Sequence, residues 1–221
     1  MIVITVVPKH KLPLICMIES SNGPLTTNVP KRSIPFYKDR GCSICDGVKN
    51  NESCNLLSSL APVLYYFSDI VSYEEVMVEF KKERYHSKYP ETAQKACFAV
   101  CVYAMFYSSC NLFGQFKFLL DYYRANITPD AYMHMVLTTT LIKRQVDLNE
   151  IYDRVDVFHE VEKLNDKFKS RLLHVFDEAK FFQQKDAAVN AVNIAFSLNT
   201  LSAENLEFFY EDFLENIKSL K

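Results

Sequence analysis

Glycine is scarce in this chain, with 4 residues in 221, and tryptophan is missing altogether. So few glycines exclude the glycine-rich phosphate loops of nucleotide-binding folds and favour helix over turn-rich β structure. No apolar run reaches the roughly 18 residues of a membrane span; the longest, Ala96 to Tyr107 (ACFAVCVYAMFY), stops short and reads as a helix buried on all sides. No excess charge of either sign is present, with a net charge of −2. That excludes a uniformly basic, phosphate-coating protein but leaves room for a local basic patch. The N-terminus, MIVITVVPKHKLPLICMIES, lacks the basic-then-apolar order and cleavage site of a secretory signal. There is no Walker motif, no GxGxxG and no paired nucleophile and base. A non-enzymatic protein is therefore the expectation.

What is present is core-forming material. Apolar residues make up 49% and aromatics 14% of the chain. Seven cysteines, an odd number, fit a reducing compartment better than a disulfide scaffold. An intracellular setting follows, mitochondrial or cytosolic, since the first acid is Glu19 while Lys9 and Lys11 precede it.

Composition divides the chain near residue 58. Three of the four glycines and five of the eight prolines lie before residue 50, and the first 55 residues carry seven Lys/Arg against four acids. Residues 1–57 are expected to form a basic arm, with IVITVV and LPLICMI as two short strands or extended segments. Residues 58–221 are expected to form an α-helical domain, because apolar residues recur there at steps of three and four. In SYEEVMVEFKK the stripe is Tyr73, Val76, Met77 and Phe80, and Ser72 with Glu75 reads as a capping box. In the stretch beginning NLFGQFKFLL the stripe is Leu112, Phe116, Leu119, Leu120 and Tyr123. Each stretch then reaches a proline and an acid, Pro90-Glu91 and Pro129-Asp130, residues that suit the first turn of a following helix. Further helices are expected over KSRLLHVFDEAKFF, over AAVNAVNIAFSL, and after Ser202 along Leu206, Phe209, Phe213, Ile217 and Leu220.

A helix, a short loop and Pro-Asp opening the next helix together resemble the pentatricopeptide-repeat family of helical hairpins, over about residues 60–166. Ile127-Thr128-Pro129-Asp130 is similar to that family's repeat closure. The resemblance implies an all-α fold of antiparallel hairpins in a repeat-like bundle or short α-solenoid. It also implies a role in organellar RNA metabolism or a ribonucleoprotein assembly. The positions comparable to the family's base-selecting residues are Val100 and Met135, both apolar, so no base code is legible.

The leading expectation is a non-catalytic, helical-repeat binding subunit. RNA contact would run through Lys9, Lys11, Lys31, Arg32, Lys38 and Arg40 in the arm, driven by phosphate charge and insensitive to sequence. The alternative is a pure protein-interaction module, a cytosolic adaptor or a viral host-factor binder. A second alternative is an RNA-cleaving HEPN-like enzyme, because Arg154 and His159 stand at that family's Arg-x4-His spacing; Asp156 lies one turn from His159. Cys42, Cys45 and Cys54 offer three thiolates for zinc, with Cys16, His10 or His86 as a fourth ligand. Ordinary free cysteines are the favoured reading there, and no cofactor is expected. Cys97 and Cys101, one turn apart in the most apolar stretch, are expected to pack rather than ligate.

Overall fold

The computed structural model describes residues 1–20, 23–30, 54–108, 110, 112–120, 127–128, 131–135, 137–138, 163, 166–167, 185–198, 211 and 215. Its centre is an antiparallel sheet of five strands in the order β3-β2-β1-β4-β5. The strands are β1 (Ile2–Val7), β2 (Leu14–Ile18), β3 (Thr26–Thr27), β4 (Glu75–Lys82) and β5 (Tyr85–Thr92). Helix α1 (Asn55–Phe67) joins the two halves of the sheet, and α2 (Ala93–Phe106) follows β5 without a break. A 3-10 turn covers Gly114–Leu119, and a further helix, here α3, spans Ala187–Leu198.

This corrects the all-α, helical-repeat expectation and removes the pentatricopeptide-repeat resemblance. The decisive segment is EVMVEFKK, expected as a helix and found as β4. Two periods coexist in those residues. Val76, Val78 and Phe80 alternate with Glu75, Met77, Glu79 and Lys81, and it is the alternating set that is buried. Ser72 does not cap a helix; its backbone N–H and its hydroxyl both donate to Asp186, at 2.7 and 2.9 Å. Pro90 does not open a helix either. It sits inside β5, and α2 begins at Ala93.

The two N-terminal strands are strands, but not an appended arm. β1 lies at the middle of the sheet, pairing with β2 (Ile4 opposite Cys16) and with β4 (Ile4 opposite Phe80). Their alternation supplies the helix-facing layer: Ile2, Ile4, Val6, Leu14, Cys16 and Ile18 are all buried, next to Val76, Val78 and Phe80. Removing a side chain of this kind from water is worth about 1.5–3 kcal/mol. The short β3 is extended by Asn28, whose side chain accepts from Ile15 N–H and donates to Pro13 C=O, both at 2.9 Å.

The helices cover this one face. In α2 twelve of fourteen residues are buried, among them Val100, and Met135 is buried as well, so both positions comparable to base-selecting residues belong to the core. Aromatic rings knit the layers. Phe80 meets Tyr103 at 5.9 Å between centroids, Phe106 meets Phe116 at 5.3 Å, and Phe98 meets Tyr132 at 6.2 Å. Two backbone hydrogen bonds tie the N-terminus of α3 to the segment after α1: Lys185 N–H donates to Ser68 C=O at 2.7 Å and Ala187 N–H to Ile70 C=O at 3.2 Å.

Candidate functional site: a cleft at the sheet edge

Among the described residues β5 is an edge strand, pairing with β4 alone. Its hydrogen-bonding parity follows from Pro90. Proline has no N–H, so Pro90 and Met77 opposite it form a pair that does not bond across the ladder. By alternation His86, Lys88 and Thr92 share that parity, and their backbone groups point away from β4. Thr92 agrees, because its N–H is taken by the carboxylate Oε1 of the neighbouring Glu91 at 2.8 Å. The outward-facing groups of β5 are therefore the N–H and C=O of His86 and Lys88 and the C=O of Pro90.

A cleft of about 280 Å³ opens on the helix side of this edge. Tyr89 and Glu91 of β5 form one wall, Gln94, Lys95, Phe98 and Ala99 of α2 another, and Ile127, Thr128 and Ile194 close it. The floor is apolar, since Phe98, Ala99 and Ile127 are buried. The rim is charged, with the Lys95 ammonium 3.8 Å from the Glu91 carboxylate. Burial, together with the nearby Glu91 charge, pushes the Tyr89 phenol up to about 12, so it stays a neutral group at physiological pH. The local chemistry is that of a small apolar socket with a polar mouth.

On the opposite sheet face the Glu79 carboxylate is bracketed by Lys81 Nζ at 2.9 Å and His86 Nε2 at 2.7 Å. Hydrogen bonds from Lys81 and then His86 hold Glu79 below the usual carboxylate range. Val7 and Met17 are exposed on this face, at 38% and 36%.

Among the described residues, those singled out in the sequence are not brought together here. Lys9 is exposed in the β1–β2 connection. Lys11 is engaged structurally: its ammonium bonds the Asp69 carboxylate and the Tyr66 carbonyl, and lies 4.4 Å from the centre of the Tyr66 ring. Lys31, Arg32, Lys38, Arg40, Cys42 and Cys45 lie outside the described residues, as do Arg154, Asp156 and His159. Cys54 is buried at the start of α1. Cys97 and Cys101 face each other at 4.0 Å in the core, and burial raises both the Cys97 and the Cys16 thiol well above the usual range. Among the described residues no three His, Cys, Asp or Glu side chains are grouped to hold a metal, and no helix is long and apolar enough to cross a membrane.

The cleft residues escaped the reading of the sequence. Their signal was the alternation of Tyr85, Ser87, Tyr89 and Glu91 with His86, Lys88 and Pro90, directly before an apolar helix.

The chain is thus an α/β protein, an antiparallel sheet with helices packed on one face and a cleft at the sheet's edge. Residues 25–220 match the model of a family described as a domain of unknown function, DUF6901, and the chain belongs to that family. No curated protein and no solved structure matches it.

Proposed function

We propose that this protein is a non-catalytic binding module that docks a segment of a protein partner at the cleft between β5 and α2. The observation that carries this is the placement of an apolar socket directly beneath an edge strand. Together they present backbone hydrogen-bonding groups and a side-chain pocket side by side, which is the pairing that peptide-docking grooves use. The RNA-associated reading has less support among the described residues. Of its six cations Lys9 and Lys11 are described, and Lys11 is committed to Asp69 and Tyr66. An intracellular setting, cytosolic or mitochondrial, goes with this reading on the sequence argument alone.

The test is site-specific photocrosslinking in the native cell from position 88, on the edge strand that lines the cleft, compared with position 17 on the same sheet face but three strands away. A defined adduct formed from position 88 should disappear when the cleft is filled by Ala99→Trp or, at its rim, by Gln94→Trp, with far-ultraviolet circular dichroism unchanged. Adducts that persist in both filled variants would remove the cleft from the function. A small molecule retained by the purified protein in native mass spectrometry, and displaced by the same variants, would replace the partner reading with a ligand-binding one.

A further inference from the structure

Resting on that docking role, we infer that the segment taken up is extended and acidic, adding itself as a sixth strand to β5. The outward N–H and C=O groups of His86 and Lys88 and the C=O of Pro90 give such a strand a run of about five residues to pair with, roughly 17 Å. The run is bounded at one end by the Glu83–Arg84 turn. At the other it is bounded by Thr92, whose N–H the Glu91 carboxylate already takes. Successive side chains of an added strand point to opposite sheet faces. On the helix side they meet the cleft between Tyr89 and Phe98, which suits an aliphatic anchor.

On the other face they meet cations. Residues 79 to 95 hold five Lys/Arg against three Glu, in a chain whose net charge is −2. Arg84, His86 and Lys88 are exposed along the edge, and Lys95 is exposed at the rim of the cleft. Glu79 is occupied with Lys81 and His86, which leaves Arg84 and Lys88 as the cations an incoming acid would meet. The same charges argue against a second copy of this chain as the occupant, because edge-to-edge pairing of β5 with itself would set these cations against one another. The ligand pattern that results alternates acidic and aliphatic residues.

The probe is a fluorescein-labelled nonapeptide of alternating Asp and Leu, followed by fluorescence anisotropy on the full chain. Three controls accompany it: the same peptide with Lys for Asp, the same peptide N-methylated at alternate amides, and the Lys88→Glu protein. The acidic peptide should bind, with affinity falling as salt rises from about 50 to 300 mM. N-methylation in one of the two registers, and Lys88→Glu, should each weaken it by about tenfold or more. Equal binding of the Asp and Lys peptides, indifference to N-methylation in both registers, or no binding at millimolar peptide would each overturn the acidic-strand inference. So would a dimer in sedimentation that Lys88→Glu abolishes. These outcomes are separable from failure of the docking role itself. If the cellular adduct still vanishes in Ala99→Trp while the peptide series fails, the cleft binds a segment of another kind. If the adduct ignores the filled cleft, the docking role is wrong whatever the peptide does.

Discussion

Lys11 shows how one charged side chain can be spent inside the fold. Its ammonium reaches Asp69, the Tyr66 carbonyl at 2.7 Å near the C-terminal end of α1, and the face of the Tyr66 ring. The tyrosine hydroxyl in turn donates to the Leu12 carbonyl at 2.6 Å. The β1–β2 connection is thereby clasped to the last turn of α1, where a cation is favoured by the helix dipole. Both ends of the ion pair remain partly exposed, 31% for Lys11 and 43% for Asp69. The pair alone is therefore worth little, and the carbonyl bond and ring contact carry the rest. Lys11→Met keeps the apolar stem and removes the charge. We expect it to destabilise by about 1–2 kcal/mol in urea denaturation, with exposed Lys9→Met neutral to within about 0.5 kcal/mol. Equal effects of the two substitutions would mean that the clasp contributes nothing.

At the scale of the element, the β4–β5 hairpin is where sequence and structure part. Lys82 pairs with Tyr85, so only Glu83 and Arg84 turn the chain. Two-residue hairpin loops favour Asn-Gly or Asp-Gly because they need positive φ, and Glu83 adopts φ 50° without being either. The usual hairpin signal is therefore missing. Without it, Met77 beside Val76 completed a convincing helical stripe through a segment whose valines and Phe80 alternate. Strands β1 and β2 were legible because IVITVV is β-branched throughout and LICMI is apolar, and both are bounded by prolines or polar residues. Their central place in the sheet was not legible, since it depends on β4, where Ile2 pairs with Lys82 80 positions further on, outside any local pattern. Helix α2 was legible from its uninterrupted apolar run, and the cleft beside it was lost together with β5. The strain at Glu83 makes a prediction: Glu83→Asn should stabilise the protein by about 0.5–1 kcal/mol, read as a higher urea midpoint at unchanged slope. A lower midpoint would show that the glutamate side chain supports the turn in some other way.

Across the whole molecule, one side-chain contact ties together segments far apart in the sequence. Asp186, next to the start of α3, accepts the N–H and hydroxyl of Ser72, 114 positions earlier, and the Asn190 amide at 3.3 Å. Ser72 is buried, and its carbonyl also accepts Gln94 N–H at the start of α2. The serine thus joins α3 to the segment that leads into β4. Bonds from the Ser72 backbone, then its hydroxyl, hold the Asp186 carboxyl below the usual range despite its exposure. A carboxylate whose folded pKa is depressed adds stability that is fully present above the unfolded value, about 3.9, and is lost as pH falls through the folded value. Asp186→Asn removes the charge but keeps an acceptor oxygen. At pH 7 we expect a lower melting midpoint than in the native protein, by a few degrees. As pH drops below about 4 the native protein should lose this advantage and the two melting curves should converge. A gap that stays constant from neutral pH down to about pH 2.5 would show that the asparagine acts through packing, and that the charge on Asp186 does not hold α3 to the sheet.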